Sequence, residues 1–203
     1  MRPTRGGQGR APPPRPHPPW EGPPIARQRY SPRRLSYAAL LIAAGLTGVY
    51  AETIPNFEVL TLVVFCSGVL LGARDGALVG TLTMLVFSLL NPYGPAHPVI
   101  TAAQVAGNAL SGVAGAVFAR LGGAAQPTAK RAILLALCAV LLTAFYDLVT
   151  NVATGLVYGQ MRVWLVGGIP FALWHIGYNV ALFVALGTPL VAVFARYAER
   201  LSD

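Results

Sequence analysis

From residue 35 onward the chain is a succession of apolar segments, each ended within a few residues by proline, glycine or charge. The hydrocarbon core of a bilayer takes roughly twenty helical residues per crossing, and a helix satisfies its own backbone polar groups there. The pattern predicts an all-α integral membrane bundle of six transmembrane helices, running approximately over 35–53, 57–72, 76–90, 99–121, 132–158 and 169–197. The second and third segments are short for a crossing, so tilted, re-entrant or locally thinned spans are expected there. Pro55, Pro92, Pro95, Pro98, Pro127 and Pro170 fall at breaks, where a residue lacking an N–H is tolerated. Pro189 lies inside the last segment and is expected to kink it.

Charge supports the same class. Only 11% of the 203 residues are charged, where soluble domains carry about 25%. The net charge of +8 would suit a nucleic-acid partner if it were spread over the fold, but eight of the fifteen bases lie before the first apolar segment. No nucleic-acid partner is expected. Residues 1–33 hold ten prolines and few aliphatic side chains, so this region is read as a disordered Arg/Pro-rich cytoplasmic tail, with Trp20 suited to a membrane interface. Residues 34–203 form the membrane domain. With the tail inside, fourteen of the fifteen Lys and Arg fall on cytoplasmic segments and only Arg162 falls outside, giving an N-in, C-in topology in the inner (plasma) membrane. The first apolar run is too long for a cleaved signal, so no secretory leader is expected. Cys66 and Cys138 lie in apolar stretches without a metal-ligand or redox spacing, and neither a metal nor a cofactor is expected.

Small residues recur every fourth position at Gly68, Gly72, Gly76 and Gly80, and again at Ala103, Gly107, Ser111, Gly115 and Ala119. Such rows let helix backbones approach closely in lipid. Ala39 and Ala43 make the same step on the first helix and offer either an internal packing face or a docking face for another membrane subunit.

Polar groups within a crossing are costly and mark candidate sites. Four pairs have i, i+4 spacing, which stacks two side chains on one helix face: Gln104 with Asn108, Asp147 with Asn151, Trp174 with Tyr178, and His175 with Asn179. At 1.5 Å of rise per residue, the amide, acid and imidazole pairs lie roughly 8–16 Å from the outer ends of their helices. The last three helices thus offer polar groups at matching depth for an outward-facing site. Trp174 and Tyr178 suit stacking on a flat ring. Asp147 is the only acid deep within a crossing and is expected to carry a proton or to pair with His175.

The alanine-rich first helix (YAALLIAA, 37–44), the stretch PNFEVLTLVVFCSGVLLGARDGALVGTL (55–82) and YDLVTN (146–151) resemble the S component of energy-coupling factor (ECF) vitamin transporters. The resemblance covers 34–197. It implies a substrate-binding membrane subunit whose first-helix face, here Ala39 and Ala43, docks on a transmembrane coupling subunit, with separate ATPase subunits supplying energy. It also implies that the first loop, 52–58, helps to cover the pocket. The expected ligand is a small water-soluble vitamin or precursor, and the remaining partner is membrane lipid. The absence of a GxxxxGK[ST] phosphate loop fits a chain that does not hydrolyse ATP by that route.

Two rival readings differ in class. A rhomboid-type intramembrane serine protease would use Ser111, followed by Gly112, with His175 as base. Ala109 replaces the glycine of a GxSG motif, and the two residues differ in depth by roughly 9 Å, which weighs against an enzyme. A non-transporting membrane scaffold would use the polar pairs only as interhelical hydrogen bonds.

Overall fold

The computed structural model describes residues 31–51 and 59–202, and the described residues contain helices and no strand. They belong to one compact unit that begins at Ser31, three residues before the expected boundary of the membrane domain. Most of the proposed tail (1–30) and the expected covering loop (52–58) lie outside the described residues.

Helix α1 is Pro32–Tyr50, α2 Leu60–Leu71, α3 Ala73–Leu89 and α4 Pro98–Arg120. They are followed by α5, Thr128–Tyr158, α6, Met161–Gly167, and α7, Ile169–Leu182. A π-helical stretch, Phe183–Gly187, joins α7 to α8, Thr188–Ser202. Three runs are long and apolar enough to cross a membrane: Pro98–Arg120, Thr128–Tyr158 and the continuous Ile169–Leu201. Much of their outer surface is exposed Leu, Ile and Val, a surface suited to lipid rather than water.

The sequence pattern of α2 explains its place. Its twelve residues are hydrophobic all round, and ten of them are buried, as expected of a helix enclosed on every side. At 1.5 Å per residue it spans about 18 Å, short of a core about 30 Å thick. It is the central strut against which α1, α3, α4 and α8 pack. Gly72, with φ of 88°, both ends α2 and starts α3. A side chain would be strained in that conformation.

Three backbones meet where the glycines recur. A Cβ at Gly112 would run into the Gly76 carbonyl, one at Gly68 into the Gly112 carbonyl, and one at Gly115 into the Phe65 carbonyl. The rows at Gly68, Gly76, Gly80, Gly107 and Gly115 are thus consumed within the bundle, and Gly112 joins them. Beside this seam Phe65 meets Phe118 and Phe183 edge-on at 5.5 and 5.2 Å, forming the main apolar core with Leu62, Leu135 and Val191.

Arg34, the first residue of the expected membrane domain, lies in the first turn of α1. Its Nη2 donates to Asp75 Oδ2 at 2.8 Å and to the Leu71 carbonyl, tying α1 to the Gly72 joint. Helix α5 starts at Thr128, four residues before its apolar run, because Pro127 ends the preceding turn and Lys130 and Arg131 continue the helix past the apolar stretch. The π-helical stretch precedes Pro189. Proline has no N–H and crowds the carbonyl of Ala185, so the helix widens there to accommodate it.

Candidate functional site

Helix α6 was not anticipated by the sequence pattern, and it builds one wall of a pocket. Gly159 (φ 76°) and Gln160 (φ 57°) turn the chain sharply out of α5, and Gly167 and Gly168 turn it into α7. The apolar run MRVWLVG between these breaks forms a short helix against α5. Trp164 lies beside Tyr158, with ring centroids 6.3 Å apart. Gly168 sits so close to the Asn151 amide that a Cβ there would clash with it.

The pocket between α4, α5, α6 and α7 has a volume of about 500 Å³. Gln104, Asp147, Thr150 and Asn151 supply its polar groups, and Tyr146, Trp164 and Phe171 supply aromatic surface. Ser88 Oγ of α3 donates to Gln104 Oε1 at 2.9 Å, which orients the amide and leaves its NH₂ without a partner among the described residues. His175 Nδ1 lies 2.9 Å from Asp147 Oδ1. With Asp147 as a carboxylate, which only accepts, the donor of this bond is Nδ1–H. Tyr146 meets the His175 ring edge-on at 6.1 Å and packs on its other side against Gly107 of α4. The acid is thus held by a ring that is itself held, while Asp147 Oδ2 has no partner among the described residues.

The eight residues singled out from sequence divide into three groups. Gln104, Asp147 and Asn151 line the pocket. Asn108, His175 and Asn179 are buried one helical turn or less beneath them, His175 touching the pocket lining at Asp147 and Tyr146. Trp174 is 54% exposed and Tyr178 is half-buried, and neither lines the pocket. The reason is helical geometry: successive residues differ by about 100°, so a helix that turns His175 inward turns Trp174 away. Phe171, four residues before His175, and Thr150, three after Asp147, lie on the inward faces, and that arithmetic would have found them. Trp164 carries no such signal beyond the glycines that bracket α6.

Ala39 and Ala43 are exposed on α1, on a stripe continued by Leu35 and Thr47 at the same four-residue step. The opposite face of α1 packs Tyr37, Leu41 and Ile42 onto Leu70, Leu71 and Val79. Ser111 is buried, and its hydroxyl donates to the Gly107 carbonyl of its own helix at 3.2 Å, while His175 is engaged with Asp147. A second cavity of about 470 Å³ lies at the other end of α4 and α5 beside α8, with Arg131 and Arg196 in its lining. Among the described residues no group of three His, Cys, Asp or Glu is placed to hold a metal ion.

No family model matches the chain, and no curated protein or solved structure is similar enough to indicate kinship.

Proposed function

We propose that this chain is the substrate-binding subunit of an uptake transporter, crossing the plasma membrane six times with both termini cytoplasmic. The observation that carries the reading is the pocket at the α4–α7 end. Its volume of about 500 Å³ falls within the range of small-molecule sites, roughly 300–1,000 Å³. It combines aromatic walls with four polar side chains, one of them a carboxylate oriented by His175. Such a lining suits a small, flat, water-soluble solute that presents hydrogen-bond donors to Asp147 and stacks on Trp164 or Phe171. In the proposed topology this end faces outward, where a nutrient arrives.

The resemblance to an ECF S component supplies the rest of the proposal. A vitamin or vitamin precursor is the expected solute. A transmembrane coupling subunit docks on the exposed Ala39 and Ala43 stripe, and separate ATPase subunits energise release. Small residues on a lipid-facing helix allow such close backbone contact.

The Asp147–His175 bond also favours a second reading, a scaffold in which that pair only locks α5 to α7. The variants Asp147→Asn and Asn151→Ala separate the two. Transport predicts monodisperse, folded protein that has lost uptake of its solute. A scaffold predicts that the wild type takes up no such solute, so that the only effect of Asp147→Asn is on stability.

A further inference from the structure

Beneath the pocket floor lies a level of buried polar side chains, a polar well that adjoins the proposed solute site at Asp147. Three contacts set the register of α5 against the last span: Asn151 with Gly168, Asp147 with His175, and Leu135 with Gly187. The two helices run antiparallel in this register, which brings Thr143 level with Asn179, one turn below Asp147 and His175. Asn108 lies on the pocket-facing side of α4, one turn below Gln104, and its neighbour Gly107 packs on Tyr146 between the same levels. Asn179, Thr143 and Asn108 are 0%, 1% and 3% exposed.

Asn108 Nδ2 donates to the Gln104 carbonyl at 3.3 Å, but the remaining polar atoms at this level are not paired. Asn179 Oδ1 and Nδ2, Thr143 Oγ1, Asn108 Oδ1, Asp147 Oδ2 and His175 Nε2 are all buried without a hydrogen-bond partner among the described residues. Buried polar atoms are almost always paired, and inside a membrane the cost of leaving them unpaired is higher still. Such a set of atoms suits an occupant that pairs with them. The unmatched set has four oxygens against a single fixed donor, Asn179 Nδ2, and it includes a carboxylate oxygen. An occupant that mainly accepts hydrogen bonds does not fit, whereas a cation satisfies the oxygens and balances Asp147.

We infer that the well between α4, α5 and α7 binds a small monovalent metal cation of sodium size through Asp147, Thr143, Asn108 and Asn179. One carboxylate with amide and hydroxyl oxygens suits a singly charged hard ion, because calcium sites recruit more charge. Transition metals prefer the His and Cys ligands that are not grouped here. Asp147 belongs to both the well and the pocket above, so a bound ion would set the charge that a solute meets. The inference does not depend on what fills that pocket, since the ion can be measured alone.

The test is equilibrium binding of ²²Na⁺ to the full chain in detergent, by scintillation proximity, with N-methyl-D-glucamine holding the ionic strength constant. Saturable binding displaced by unlabelled Na⁺ is expected for the wild type, with at least a tenfold loss of affinity in Thr143→Val and Asn179→Leu. Thr143→Val preserves shape and keeps the test decisive if Asn179→Leu does not fold. Absence of saturable binding to the wild type would leave ordered water as the occupant and overturn the inference, as would binding unchanged in folded Thr143→Val.

Discussion

Asp147 is the residue on which chemistry at the pocket converges, and its energetics follow from its surroundings. Its carboxylate shares a half-buried position with one strong partner, His175 at 2.9 Å, and one unpaired oxygen. Removing either partner strands the other in a poorly solvated place, at a cost of about 1–3 kcal/mol. Removing both strands neither. A double-mutant cycle of Asp147→Asn and His175→Phe, read by thermal or denaturant unfolding in detergent, should therefore show strong non-additivity. A coupling of about 1 kcal/mol or more is expected, and additive losses would mean that the bond contributes nothing to holding the acid. Arg34 is the comparable residue at the far end of the bundle. It is partly exposed, and Arg34→Ala should cost about 1–2 kcal/mol by releasing both Asp75 and the Leu71 carbonyl. Asp75→Asn should cost less, since the carbonyl contact remains.

At the scale of elements, the fold depends on how closely α2, α3 and α4 approach. Gly112→Ala places a methyl against the Gly76 carbonyl, and with backbone on the opposing side the helices must separate. A loss of about 1–3 kcal/mol is expected from such overpacking. Gly177→Ala, where nothing lies within 4 Å, should leave stability unchanged or raise it slightly, and equal losses at the two sites would contradict this account of the seam. The small-residue rows were legible in sequence because close packing in lipid demands a fixed four-residue step. The polar pairs on α4, α5 and α7 were legible for a similar reason, since a buried polar group in an apolar helix stands out. Helix α6 was not legible: its seven residues are too few for a crossing or for a clear helical period, and glycines bracket them on both sides. The face of α7 was misread because Trp174 and Tyr178 have the right spacing on the wrong side. Spacing shows which residues share a face but not which face turns inward, and only the contact of Asp147 with His175 decides that.

For the whole molecule, the first question is topology. Three spans are long and apolar enough to cross a membrane by themselves. In the proposed topology α1, α2 and α3, which pack against one another, with α2 and α3 also against α4, would supply the other three crossings. The proposed N-in, C-in arrangement places the turn at Tyr93, almost wholly exposed, outside the cell. Tyr93→Cys in a Cys66→Ala, Cys138→Ala background should react with a membrane-impermeant maleimide in intact cells. Reaction only after lysis would reverse the topology and turn the pocket toward the cytoplasm. The account as a whole depends on that pocket holding a solute. Its most direct test is mass spectrometry of small molecules released from the full chain purified without added ligand. A single water-soluble, ring-containing compound, enriched in the wild type and missing from folded Asp147→Asn, is the result predicted. Equal recovery of the same compounds from both proteins, or none from either after growth with ample nutrient, would contradict the proposal that this site binds substrate.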